Sequence, residues 1–153
     1  RTSAYTRVSA MGGVPLASLC RLPGVRTRER FEQVMSLEQY VDNMSVNRER
    51  FVEKLDGTTI GPEDTRLLAR LGTARRVLVL SEDWCGTCLA HVPYVAKLVE
   101  GDPRIEMRLF PRDQNLDVMD QYLKKGLYRS IPVFVFFDEH MNEVARFIES
   151  RPA

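Results

Sequence analysis

Val77-Leu78-Val79-Leu80 is a continuous apolar run, and Trp84-Cys85-Gly86-Thr87-Cys88 begins four residues after it. No other succession in the chain constrains the fold as strongly. An apolar run without alternation suits a strand covered on both faces. After the cysteines, Leu89, Val92, Val95, Ala96, Leu98 and Val99 recur at helical spacing, which predicts a helix from Cys85 to Val99 that Pro93 kinks rather than ends. A buried strand that runs straight into an apolar helix needs a layered α/β architecture, with the two cysteines where the layers meet.

The flanking text agrees. Ser36 with Glu38, Tyr40, Val41 and Met44 predicts a capped helix, and a second spans about 47–55, with Asp56-Gly57 as its stop. Pro62 suits the first turn of a third, whose buried side is expected to be Leu67, Leu68 and Leu71, with Gly72 closing it. Ile105 to Phe110 alternates as a strand. Asn115 to Lys125 carries Leu116, Met119, Tyr122 and Leu123 as an amphipathic helix with Gly126 as its stop. Pro132 to Phe137 reads as a buried strand, and a turn over 138–142 leads to a hairpin partner at Glu143 to Ile148. The order is helices followed by βαβαββ, which fits parallel strands joined by right-handed helical crossovers and then an antiparallel hairpin.

The first 34 residues differ in character, with scattered Gly, Pro, Ser and Arg and no sustained apolar period, so most are expected to be poorly ordered. An Arg- and Ser-rich targeting segment, a disordered arm and translation upstream of a start at Met35 are the open readings, the last favoured. Val14 to Leu22 is too interrupted for a secretory signal, and Cys20 reads as incidental. The net charge of +1 hides an asymmetry: residues 1–34 hold six Arg and two acidic residues, the rest 16 basic and 19 acidic. A slightly acidic folded part argues against a nucleic-acid groove. No stretch reaches the roughly 18 apolar residues of a membrane span. Three cysteines do not make a disulfide-stapled secreted scaffold, so a reducing compartment, the cytoplasm, is expected.

At a helix N-terminus, unpaired backbone N–H groups and the positive end of the dipole stabilise a thiolate, so Cys85 should ionise more readily than a free thiol. Two intervening residues place Cys88 one turn along, where it can resolve a mixed disulfide at Cys85. The bland alternative is half of a zinc site, with His91 nearby. Zinc needs four ligands, and the only further His and Cys are His140 and Cys20, both far along the chain. No metal is expected. Haem attachment would need His where Leu89 stands. His91 reads either as a helix-surface residue or as a group that tunes the thiols, and Trp84 either as core packing or as an aromatic shield for the thiolate.

Val77 to Pro93 resembles the active-site strand and helix of thioredoxin, including the Trp before the first Cys and a Pro five residues after the second. Ile131-Pro132 matches that family's cis-proline position, which lies against the Cys pair and hydrogen-bonds extended substrates. The segments Glu82 to Gly86, Arg112 to Leu123 and Arg129 to Pro132 are similar to a bacterial thioredoxin-like branch with an added helical N-terminal segment, over about 35–152. In that branch the second Cys is not always present and substrates are generally unassigned. The resemblance implies a thioredoxin-like sandwich, a central mixed sheet flanked by helices with an N-terminal helical extension. Residues 1–34 would form a disordered or non-native extension and 35–153 the domain. The family's fold usually finishes with a covering helix, and an end soon after Ile148 fits a fragment.

Two departures stand out. Val79 occupies the place of the buried Asp that serves proton transfer in thioredoxin, so Glu82, Asp83 or water would have to substitute, unless both carboxylates are simply loop charge. Gly86-Thr87 replaces Gly-Pro between the cysteines. The charged segment from Arg112 to Asp120 reads as a capped, solvated loop and is assigned no catalysis.

The expected activity is thiol-disulfide exchange through Cys85 and Cys88, with Trp84, Gly86, Thr87, Ile131 and Pro132 binding substrate. Protein or low-molecular-weight disulfides would be the partners, with an unidentified electron donor and no cofactor, nucleic acid or membrane. A non-catalytic peptide-binding adaptor and a thiol-redox sensor or bacillithiol-like thiol handler are the alternatives.

Overall fold

A computed structural model describes residues 28–149. Helices α1 (Arg28–Glu32), α2 (Leu37–Asp42), α3 (Arg48–Gly57) and α4 (Pro62–Ala69) precede β1 (Arg76–Ser81), α5 (Gly86–Glu100) and β2 (Glu106–Pro111). A single 3₁₀ turn, α6 (Leu116–Met119), β3 (Val133–Phe137) and β4 (Glu143–Ile148) follow. The sheet order is β2-β1-β3-β4. Val77, Leu78, Val79 and Leu80 are all fully buried, so β1 is covered on both faces, as its uninterrupted apolar run requires.

Strands β1 and β2 are parallel, joined through α5, whereas β3 runs antiparallel to both β1 and β4. The sheet is therefore mixed, and only its first connection is the expected crossover. Reversal of β3 has a direct consequence for the site. β1 leaves the sheet at Ser81, β2 at its partner Pro111, β3 enters at Val133 opposite Leu80, and β4 leaves at Ile148 opposite Val133. Four chain segments thus converge at one end of the sheet, where α5 begins.

Ser36 caps α2: its hydroxyl accepts from the Gln39 N–H at 3.2 Å, and the Gln39 side chain accepts from the Ser36 N–H. Pro62 opens α4 as expected. The buried side predicted for α4 is only partly found, because Leu71 just beyond it is buried whereas Leu67 is 37% exposed.

The helix predicted from Asn115 to Lys125 is a single turn. Gln121 and Tyr122 donate to the carbonyls three residues back, which tightens and ends it, and only Val118, Met119 and Tyr122 reach the core. Lys125 and Gly126 then adopt φ of 55° and 70° in a tight turn closed by Lys124 and Tyr128, so Gly126 serves that turn and not a helix end.

Ordered structure also lies before the expected boundary at residues 34 and 35. α1 precedes it, and Phe31 is fully buried with the Arg108 guanidinium 5.8 Å from its ring centre. Arg30 also pairs with Asp117 at 2.8 Å, fastening α1 beside α6. The expectation for residues 1–27, Cys20 included, and that of a missing terminal helix lie outside the described residues. No helix among the described residues is long and apolar enough to cross a membrane.

Candidate active site

Cys85 is the N-cap of α5. Its extended backbone lets the sulfur turn back over the first turn of the helix, where the Cys88 N–H donates to Cys85 Sγ at 3.1 Å. Both thiols are reduced and buried, Cys85 at 8% exposure and Cys88 at 2%. Their environments push them apart. A hydrogen bond from the Cys88 thiol, backbone N–H groups of Cys88 and Thr87, and the positive charge of Arg112 bring the Cys85 thiol down to about 6 against the cost of burial. Burial, followed by the hydrogen bond to Cys85, drives the Cys88 thiol strongly upward. The start of the helix thus favours the thiolate at Cys85, and burial favours the protonated thiol at Cys88.

The reversed β3 brings the second half of the site into place. The Ile131-Pro132 peptide bond is cis, and the Cys85 thiol points to the Ile131 carbonyl at 3.9 Å. Gly86, Thr87 and Pro132 line a groove of about 510 Å³ whose far wall is Phe134, Phe147 and Ile148. Trp84, next to Cys85 in the chain, is 53% exposed. Every residue expected at the site is therefore at this end of the sheet. His91 also lines the groove, but its Nδ1 faces the Thr87 carbonyl at 3.1 Å.

Three groups went unread in the sequence. The Arg112 guanidinium lies 5.1 Å from the Trp84 ring centre, and the same side chain donates to the Arg129 carbonyl at 3.1 Å. Its neighbour Asp113 donates its N–H to Glu82 Oε2 at 2.8 Å, so Glu82 holds the turn that presents Arg112. Asp83 accepts the Ser45 N–H at 2.7 Å and ties the α2–α3 loop to the site. Both carboxylates thus anchor backbone N–H groups at the edge of the site. Ser81 and Tyr40 are the others, buried behind Cys88 and hydrogen-bonded to each other at 2.9 Å. Ser81, the one hydroxyl closing an apolar strand, was the visible signal. Tyr40 had none.

Alkylation of Cys85 by iodoacetamide is expected to be slow below pH 6 and to rise through a midpoint near pH 6, because the thiolate reacts and the thiol does not. Arg112→Ala should raise that midpoint by about half a pH unit, a partly screened charge near the surface being worth under about 1 kcal/mol. Added salt should shrink the difference between the two proteins. An unchanged midpoint would remove Arg112 from the site.

Residues 34–153 match the family model for thioredoxin. The chain belongs to the thioredoxin family. Among solved structures, this thioredoxin family member is similar to PA1234 from Pseudomonas aeruginosa, a protein of unknown function, at 24% identity and a TM-score of 0.61, with 77% of this chain and 73% of that chain covered. It is similar to an HIV epitope-scaffold protein at 24% identity and a TM-score of 0.63, with 78% and 74% covered. Thioredoxin from Fasciola hepatica is 28% identical, with a TM-score of 0.41 and 54% and 75% covered. No curated protein matches. Thioredoxin family membership accounts for the mixed sheet and for the cis-proline facing the cysteines.

Proposed function

We propose that this protein is a thiol-disulfide oxidoreductase that reduces disulfides through Cys85 and Cys88. The opposed acidities of two thiols one helical turn apart carry the reading. Cys85 as thiolate attacks a substrate sulfur, forming a mixed disulfide and expelling one substrate thiolate. Cys88 then attacks Cys85, releases the second substrate thiol and leaves Cys85–Cys88 oxidised. An external electron donor resets the pair, and no cofactor takes part. Gly86, Thr87, Trp84 and the Ile131-Pro132 backbone hold the substrate, with the Ile131 carbonyl free of strand pairing and facing the reacting sulfur.

The groove beside the cysteines has a mainly apolar far wall, which favours an extended peptide disulfide over a small hydrophilic one. The same groove supports a second reading, a peptide-binding adaptor whose cysteines do not turn over. Turnover of a reducible protein disulfide such as insulin, with dithiothreitol as donor, separates the two. Catalysis above the dithiothreitol background that disappears in Cys85→Ser supports the oxidoreductase. Peptide binding that persists in Cys85→Ser, without turnover in the parent, supports the adaptor. A cytoplasmic setting follows from the need for reduced thiols.

A further inference from the structure

Reduction by this pair leaves one chemical problem open: Cys88 is 2% exposed, its thiol is held protonated by burial, and it must lose that proton to attack. In thioredoxin the buried carboxyl sits where this chain has Val79, which is fully buried between Leu109 and Phe134 and offers no proton acceptor. Glu82 and Asp83 are engaged with the backbone of Asp113 and Ser45. The void that Cys88 shares with Ser81 and Tyr40 has no room for a water molecule. Ser81 and Tyr40 are the two hydroxyls that line this void, beside Glu82 and Asp83.

Ser81 is fully buried and lines the same closed void as Cys88. On its other side it meets the Tyr40 hydroxyl at 2.9 Å, a pair in which either oxygen can donate. Tyr40 in turn lines a cleft of about 180 Å³, together with Met35, Asn43, Glu82 and Asp83, that is large enough for water. The groups facing Cys88 are thus Cys85 on α5, Ser81 on β1, the Glu82 backbone and Tyr40 on α2, with the Glu82 and Asp83 carboxylates adding negative charge beside Tyr40.

We propose that Ser81 and Tyr40 form a hydroxyl relay that carries the Cys88 proton to solvent in the resolving step. This inference rests on the disulfide-exchange reading. As Cys88 Sγ bonds to Cys85 Sγ, the bond from Cys85 Sγ to the substrate sulfur breaks and its electron pair leaves on the substrate. Ser81 Oγ takes the Cys88 proton while its own passes to Tyr40, and the Tyr40 proton passes to water in the cleft. The departing thiolate collects a proton from solvent. Over both steps the substrate disulfide gains two electrons from the cysteine pair and two protons from solvent, balanced by the Cys88 proton that the relay releases and the proton that Cys85 sheds on ionising. The relay assigns a chemical role to the N-terminal helices, since Tyr40 is the part of α2 that reaches the cysteine helix.

The two steps separate with 5,5′-dithiobis(2-nitrobenzoate) in single-turnover absorbance, in which Cys85 releases the first thiolate and Cys88 the second. In the full-length protein carrying Cys20→Ser, the background for every variant here, two equivalents are expected. Ser81→Ala and Tyr40→Phe should release the first at the parental rate and the second at least tenfold more slowly near pH 7, with the gap closing as rising pH deprotonates Cys88 directly. Ser81→Thr, which keeps the hydroxyl, should restore the second phase. A second phase unchanged in rate and pH profile in both variants overturns the relay alone, as does an equal slowing of both phases, which marks a structural effect. A parent that releases only one equivalent overturns disulfide exchange and the relay with it.

Discussion

Cys85→Ser is expected to abolish disulfide turnover, lowering it by about three orders of magnitude or more, whereas Cys88→Ser should leave the first attack intact and stall. The asymmetry follows from the site. Cys85 is the sulfur that the first turn of α5 stabilises as a thiolate, and its thiol is the one that points to the Ile131 carbonyl. Cys88 acts second, so its loss leaves substrate covalently attached to Cys85. The replacement chosen matters, because the Cys88 side chain is the leading cause of the lowered Cys85 thiol. A serine hydroxyl can still donate to the thiolate, so Cys88→Ser should keep a midpoint near pH 6, whereas Cys88→Ala should raise it. Intact-mass spectrometry after mixing with a peptide disulfide should show the adduct in Cys88→Ser and none in Cys85→Ser. Equal adduct in both would place the nucleophile elsewhere.

Phe31→Ala is expected to cost about 3–5 kcal/mol, the usual loss for truncating a fully buried aromatic. That is a large share of the roughly 5–15 kcal/mol by which a domain is stable. The ring is completely enclosed and Arg108 lies over it, so the cavity has little means of closing. Arg30 and Asp117 should hold the emptied helix in place, which keeps the loss from being relieved by detachment of α1. Chemical denaturation of the two proteins measures the difference. A change below about 1 kcal/mol would mean that the fold begins at Met35 after all.

Much of this architecture was legible before any coordinates, and the reason is local. β1 and β3 are short apolar runs with both faces buried, and α5 carries its apolar stripe directly after the cysteines, so composition and period alone identify them. The cysteine pair was legible because two residues of spacing at a helix start leave few other chemistries. What escaped detection depends on contacts distant in sequence. Phe31 sits in a short stretch of Arg and Glu with no period to mark it, and its burial comes from β2 about eighty residues away. The segment after Asn115 has a helical apolar pattern, yet the core accepts only three of its side chains, and Leu116 and Leu127 stay exposed. Arg112 looked like one charge among several, and only the strand ends converging on α5 lay it over Trp84. Tyr40 read correctly as part of an amphipathic helix, but helical spacing does not say that its hydroxyl meets Ser81.

If Cys85 and Cys88 cycle between dithiol and disulfide, a mass-resolved redox titration should show it. The full chain is equilibrated in dithiothreitol buffers of graded oxidation, free thiols are alkylated, and peptides are weighed. One reversible two-electron transition is expected, confined to a disulfide between Cys85 and Cys88, with Cys20 alkylated throughout. A pair that stays open across the range, or that closes only onto Cys20 or a second molecule, would contradict it.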